Sequence, residues 1–118
     1  NYLIDKTFLG YGEMFELDAE LTTVSASSSE DVNKIVINEN NLLRIHGGYA
    51  YSAVSPSTIC IVDITSGSTI VSKDATNFPF GSETVSQYFT SKSTLVLRFI
   101  NGSGSDGDIA GGFLITVS

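Results

Sequence analysis

The sequence predicts an all-β fold, an antiparallel β-sandwich or jelly roll of about eight or nine short strands, forming one domain over residues 1–118. Three observations lead to this prediction. Apolar and polar residues alternate with a period of two, as in strands with one buried and one solvated face. The alternating segments are rich in Val, Ile, Thr, Tyr and Phe, with Gly, Pro, Asn and Ser between them. The best helix candidate, around 28–34, has a cap-like SSSEDV but no amphipathic run behind it.

Four strands are predicted in the first half of the chain. FELDAELTTV (15–24) alternates apolar and acidic residues, so Leu21 is expected on the buried face and the acids in solvent. VNKIVIN (32–38) and NLLRIH (41–46) are short apolar-rich runs on either side of the turn signal NENN. YAYSAV (49–54) follows the two glycines of HGG, where we expect the chain to reverse.

Five more strands are predicted in the second half. TICIVDI (58–64) is apolar on both faces over most of its length, which is typical of a central strand covered on each side. STIVS (68–72), ETVSQYF (83–89), STLVLRFI (93–100) and GFLITV (112–117) are β-rich runs. The turn signals TSGS, NFPFGS and TSKS separate them, together with a glycine-rich stretch before the last strand.

The alternation also predicts the core. In STLVLRFI, Leu95, Leu97 and Phe99 are expected to face the interior, and Arg98 the solvent. The expected neighbours of this row are Ile59, Ile61, Phe113, Ile115 and Val117. The single cysteine, Cys60, is expected to be a small buried residue; the alternative is an interchain disulfide or a reactive thiol.

Composition narrows the classes of partner. The formal net charge of −7 repels phosphate backbones, so we expect no nucleic acid and no anionic membrane as partner. No apolar run approaches the roughly 20 residues that cross a bilayer, so no membrane insertion is expected. The chain begins at Asn1 without an initiator Met, from which we expect either a removed signal peptide or excision from a longer protein.

The stretch FINGSGSDGDIAGGF (99–113) contains several overlapping motifs. Gly102 to Gly107 satisfies G-x-G-x-x-G, but a dinucleotide loop opens a helix within a βαβ unit, whereas a strand follows here. Asn101-Gly-Ser103 is an N-glycosylation acceptor sequence in a predicted loop. We therefore interpret the stretch as a long, flexible, acidic connection between the last two strands, with Asn101 as its candidate glycan site.

Residues 58–117 resemble the C-terminal half of a CUB domain. In that family a strand reading into a D-G turn is followed by S-x-x-L-x-V-x-F, an S-D loop and a closing G-F strand. The matching positions are Leu95, Leu97, Phe99, Ser105-Asp106 and Gly112-Phe113. The resemblance implies a binding module of a secreted or cell-surface protein, with a fold that agrees with the predicted sandwich.

The same resemblance suggests a metal site. Many CUB domains bind calcium, and Asp106 occupies the loop position, while Asp63 and Asp108 are the other candidate ligands. Departures from the family favour a plain solvated turn instead. The chain has one cysteine where CUB domains usually carry two disulfides, and LLRIHGG contains no Glu where the family has one. No cofactor is expected apart from this calcium alternative.

The residues do not predict an enzyme. His46, the single histidine, is expected to be a polar residue at a strand end before two glycines. IHGGY is similar to the oxyanion loop of some hydrolases, but the chain has no G-x-S-x-G nucleophile motif to accompany it. The acids Glu13, Glu16, Asp18 and Glu20 could supply a glycosidase pair, but the period-two spacing of Glu16, Asp18 and Glu20 predicts a solvated strand face instead.

Aromatic residues near predicted loops and strand ends offer a ligand site, because rigid amphipathic rings are frequent on recognition surfaces. The candidates are Phe78 and Phe80 in TNFPFGS, with Tyr49 and Tyr51. Two functions remain open. One is a non-catalytic recognition module that binds an extracellular protein or glycan through loop residues. The other is a jelly-roll domain of a viral, bacterial or extracellular-matrix assembly, a homo-oligomer joined through an edge such as STIVS (68–72).

Overall fold

The computed structural model describes residues 14–76 and 85–118, and within them the chain is all-β, as predicted. Its eight strands are β1 (Met14–Val24), β2 (Ser28–Ile37), β3 (Asn41–Ser52), β4 (Ser57–Asp63), β5 (Ser68–Asp74), β6 (Val85–Phe89), β7 (Ser93–Asn101) and β8 (Gly107–Val117). In these two ranges there is no helix of the length and apolarity that crossing a membrane requires.

Two antiparallel four-stranded sheets form the predicted sandwich. The first sheet has the order β1-β8-β3-β6 and the second has the order β2-β7-β4-β5. The connections β1–β2, β3–β4 and β7–β8 meet at one end, because Val24 pairs with Gly107 and both Ser28 and Ser57 pair with Asn101. We call this the loop end. Three connections from different parts of the chain are thereby brought together there.

The core lies between the two sheets and follows the predicted alternation. Alternate residues of β7 are buried from Ser93 to Asn101, while Arg98 faces outward, as expected. The predicted core residues are all buried: Leu95, Leu97, Phe99, Ile59, Ile61, Phe113, Ile115 and Val117. The prediction that β4 is covered on both faces is also confirmed, because its outward residues Cys60 and Val62 are only 2% and 6% exposed.

Two predicted boundaries are wrong because of irregular backbone. The segments 41–46 and 49–54 are one strand, β3, and HGG is a β-bulge rather than a turn. The register shifts between Ile45 and Gly47, and Gly47 has φ 146°, a conformation that glycine adopts readily. Strand β8 begins at Gly107 instead of residue 112, which leaves only 102–106 as the connection after β7.

A second bulge changes the outward surface of β1. The pairing of β1 with β8 shifts between Ala19 and Thr22. Leu21 lies inside this irregularity and is 57% exposed, so its predicted burial is wrong. A bulge reverses the inside–outside alternation from that point on, because it adds one residue to one strand of the pair.

Candidate functional site

The outer face of the first sheet brings tyrosines of β3 close to acids of β1. The central strand β8 lies between them, with Gly112 paired to Asp18 on one side and to Tyr49 on the other. A Cβ on Gly112 would overlap with the Cβ of Asp18. Glycine at this position therefore allows β1 to approach closely enough for Tyr49 to contact its carboxylates.

The Tyr49 hydroxyl is shared by two carboxylates. Its oxygen is 2.9 Å from Glu16 Oε2 and 2.9 Å from Asp18 Oδ2. A phenol has a single proton to donate, so it serves the two acceptors alternately. Burial and the hydrogen bonds to Asp18 and Glu16 raise the pKa of Tyr49 well above its ordinary value, because all of them favour the neutral phenol.

This arrangement predicts that the titration of Tyr49 is displaced to high pH. The stability that neutral Tyr49 contributes is complete below the ordinary tyrosine pKa of about 10 and is lost as the pH rises through the higher folded-state pKa. We expect an alkaline titration of tyrosine absorbance to show a component displaced to high pH that is absent from Tyr49→Phe. Tyr51→Phe, which removes an exposed phenol, should retain it. Identical titration curves for Tyr49→Phe and the unmodified protein would contradict the assignment.

Neighbouring side chains extend this site along the sheet. Tyr51 is two residues after Tyr49 on β3 and is 56% exposed. Glu20, two residues after Asp18 on β1, is exposed, and Leu21 at the bulge is exposed beside it. We define the tyrosine–acid face as Glu16, Asp18, Glu20, Tyr49 and Tyr51, bordered by Leu21.

The position of β1, and hence of its acids, is fixed from the opposite sheet. The side chain of Asn33 on β2 is 1% exposed, and its Nδ2 donates to the backbone oxygen of Asp18 at 2.7 Å. A buried amide that is satisfied in this way tolerates little displacement of its partner. The acids of β1 are therefore held in place before any ligand arrives.

Chemically, this face suits a cationic side chain. Carboxylates pair with guanidinium or ammonium groups, and aromatic faces attract the same cations. An exposed leucine provides apolar contact for the alkyl stem of arginine or lysine. The predicted ligand residues Tyr49 and Tyr51 thus lie together, but on a strand face rather than in loops.

The three carboxylates predicted as calcium ligands do not come together. Oδ1 of Asp63 accepts hydrogen bonds from the backbone N–H of Thr65 and Ser66 and so orders the turn between β4 and β5. Asp106 and Asp108 lie at the loop end, about 20 Å away along the strands. One ion cannot contact all three. In the described part of the chain, no group of three His, Cys, Asp or Glu residues could hold a metal.

Both carboxylates at the loop end have structural partners. Asp106 Oδ1 accepts a hydrogen bond from the N–H of Ala26 at 2.9 Å, and Asp108 Oδ1 accepts one from Thr23 Oγ1 at 2.6 Å. These bonds tie the β7–β8 connection and the start of β8 to the end of β1 and the β1–β2 connection. The sequence around Asp106 and Asp108 does not reveal that they tie these segments together. Their hydrogen-bond partners are more than 70 residues earlier in the chain.

Asn101, the candidate glycan site, is 1% exposed and organises the loop end. Its Nδ2 donates to the carbonyls of Val24 at 2.9 Å and Ser105 at 2.8 Å. Its Oδ1 accepts from the N–H of Ser103 at 2.9 Å and from the Ser103 hydroxyl at 2.7 Å. Since a glycan would attach to the buried Nδ2, the predicted glycosylation does not fit this folded loop, and the connection predicted as flexible is held by side-chain hydrogen bonds.

The other residues that the sequence singles out are two phenylalanines, the cysteine and the histidine. Phe78 and Phe80 lie outside the described residues. Cys60 is a free, buried cysteine, as predicted, and burial raises the pKa of its thiol. His46 is exposed on the outer face of the first sheet, where its Nε2 is 2.9 Å from Thr116 Oγ1.

Comparison with known proteins finds solved structures of similar fold but identifies no protein family. No family model matches the sequence, and neither does any curated protein. Among solved structures, the chain is similar to VP2 of the infectious bursal disease virus subviral particle, with a TM-score of 0.51 and 10% identity. The alignment covers 89% of this chain and 32% of VP2, so the chain spans about a third of that protein. This likeness shows a shared jelly-roll-like sandwich.

A second solved structure aligns with this chain over nearly the whole length of both chains. It is PliG of Aeromonas hydrophila, a periplasmic inhibitor of g-type lysozyme, with a TM-score of 0.46 and 4% identity over 98% of this chain and 97% of PliG. The resemblance of residues 58–117 to CUB domains stays a prediction beside these neighbours.

Proposed function

We propose that this domain is a non-catalytic recognition module that binds a basic protein partner through the tyrosine–acid face. The observation that carries the proposal is the Tyr49 hydroxyl bound by Glu16 and Asp18 beside the exposed side chains of Tyr51 and Leu21. Protein interfaces concentrate their affinity in a few residues, among which tyrosine is enriched. Tyr49 is held in position before binding, which lowers the entropic cost of association.

The charge of the domain supports the same choice of partner. The chain has 13 acidic and 6 basic residues, and three of the acids belong to the tyrosine–acid face. Such a field accelerates encounter with a positively charged surface and slows encounter with an acidic one. We therefore expect association rates that fall steeply as the salt concentration rises.

The non-catalytic part of the proposal is supported by the surroundings of His46. Its ring bonds the Thr116 hydroxyl, but both lie on an open strand face. General-base catalysis by a histidine that activates a hydroxyl usually operates in a cleft that excludes water. The resemblance to CUB domains supports placing the module in a secreted or cell-surface protein.

Two exposed tyrosines on the same sheet provide a matched test. Tyr51 is 56% exposed on the tyrosine–acid face, whereas Tyr88 is 55% exposed on β6 at the far edge. The domain would first be titrated against folded basic proteins and against acidic proteins of similar size. For each basic protein that binds, we expect Tyr51→Ala to weaken binding about 30-fold, which corresponds to about 2 kcal/mol. Tyr88→Ala should leave affinity within about twofold. Equal losses in the two variants, or binding to acidic proteins alone, would contradict the proposal.

A second candidate function is self-association as part of an assembly. Among the described strands, β5 pairs with β4 alone, and residues 68–72 carry no charge, so a second copy could add a strand there. VP2 of the subviral particle shares this fold. Light scattering at high micromolar concentration separates the two functions, because a strict monomer would exclude autonomous assembly.

A further inference from the structure

We infer a second binding site, a groove on the outer face of the second sheet that accepts a neutral sugar ring. The groove has a volume of about 440 Å³ and is open to solvent beside the loop end. Its lining includes Ser28, Ser29, Arg98, Ile100 and Gly102. The tyrosine–acid face lies on the other sheet, so this site is independent of the function proposed above.

The floor of the groove is apolar. Ile100 faces outward from β7 and packs against a small buried cluster on the same face, formed by Cys60, Val62 and Val96. Ile100 and this cluster give the groove an apolar surface. Sugar rings have a face of C–H groups that packs on such a surface, while their hydroxyls remain at the rim.

Arg98, one of the residues that line the groove, is held by Asp31 on the neighbouring strand β2. Arg98 Nε lies 2.6 Å from Asp31 Oδ1, and Arg98 Nη2 lies 3.2 Å from Asp31 Oδ2. These two bonds do not use the Nη1 hydrogens of Arg98, which can donate to a ligand hydroxyl. The side chains remain 30% and 41% exposed, so a ligand can reach them.

Three serines, Ser27, Ser28 and Ser29, also line the groove. The hydroxyls of Ser27 and Ser28 donate to the backbone oxygens of Ser103 and Ala26, which leaves their own oxygens as acceptors. Ser29 pairs with Ile100 across the sheet and stands next to the apolar floor. The groove therefore offers small polar groups close to its apolar surface.

The charges favour a neutral ligand over an anion. Asp31 neutralises Arg98, and the formal net charge of −7 opposes a phosphate or sulfate. A purely apolar ligand would desolvate the serine hydroxyls without replacing their water. A hexose or N-acetylhexosamine satisfies both the apolar floor and the polar groups.

Amide chemical-shift titration with glucose, galactose, mannose and N-acetylglucosamine tests the site. We expect at least one sugar to give saturable shifts at residues 27–29 and 98–102, with a dissociation constant on the order of millimolar. Ser29→Ala should weaken the binding of that sugar severalfold, and Ser86→Ala on the first sheet should leave its binding unchanged. Arg98→Lys, which keeps the charge but loses the planar donors, should weaken it further, provided that its thermal unfolding is unchanged.

Three results would overturn the inference. The first is the absence of shifts with every sugar on the order of 50 millimolar, well above a millimolar dissociation constant. The second is an equal loss of affinity in Ser29→Ala and Ser86→Ala. The third is a larger response of the groove to inorganic phosphate at the same concentration, which would make it an anion site.

Discussion

Replacing Gly112 with alanine is expected to destabilise the domain by about 3 kcal/mol. The added Cβ would lie 2.5 Å from the Cα of Asp18 and 2.5 Å from the carbonyl oxygen of Leu17. Both contacts are with backbone of β1, which cannot move aside as a flexible side chain would. The strand pair β1–β8 must therefore separate locally, and Tyr49 should lose Asp18 as an acceptor.

Denaturant unfolding followed by circular dichroism measures this loss, and Gly104→Ala is the matched control. A Cβ at Gly104 meets nothing within 4 Å, so that substitution should change the free energy of unfolding by less than about 1 kcal/mol. The Gly112→Ala variant should also lose the displaced tyrosine titration. A stability like that of the unmodified protein would show that β1 does not approach β8 as described.

Replacing Asn101 with alanine is expected to cost a similar amount, about 3 kcal/mol. The change removes the hydrogen bonds that Asn101 makes to the carbonyls of Val24 and Ser105 and to the N–H of Ser103, and of these groups the Ser105 carbonyl keeps the Ser103 hydroxyl as a donor. Each unsatisfied group near a buried site costs roughly 1 kcal/mol or more. The connections at the loop end should loosen together, because Asn101 joins the end of β1 to the β7–β8 connection.

Asn41→Ala is the control for Asn101, because the side chain of Asn41 makes an exposed hydrogen bond, of 3.3 Å, to the Ser118 carbonyl. Its expected cost is below about 0.5 kcal/mol. Thermal unfolding of the two variants, together with hydrogen exchange of the amides in residues 24–28 and 101–107, measures the difference. Equal stabilities would contradict the role given to Asn101.

The sequence predicts those parts of the fold in which one face of a strand is buried along its length. The alternation in β7 identifies Leu95, Leu97 and Phe99 as core because a shift of one residue would expose all three. Alternation fails at HGG and at Leu21 because both lie at β-bulges. A bulge depends on how neighbouring strands meet, and a local pattern carries no information about that.

The candidate site is predictable in its residue types but not in its assembly. Tyr49 and Tyr51 stand out as aromatic residues, and the acids of β1 stand out as a solvated face. Their meeting depends on β8 lying between β1 and β3, a topology that joins the two ends of the described chain. For Asp63 and Asp106 the sequence suggested a shared calcium site, but the order of the strands places the two residues at opposite ends of the sandwich.

The most direct test of the recognition function is an amide chemical-shift titration of the domain with a short peptide of alternating arginine and glycine. The tyrosine–acid face predicts saturable shifts on β1 and β3, centred on residues 16–21 and 49–51, that diminish as salt is added. They should also be reduced in the double variant Glu16→Gln and Glu20→Gln. The variant Glu30→Gln and Glu39→Gln, which removes the same charge elsewhere, should retain them. Shifts spread over both sheets, or equal reductions of the shifts in the two double variants, would contradict the proposed recognition function.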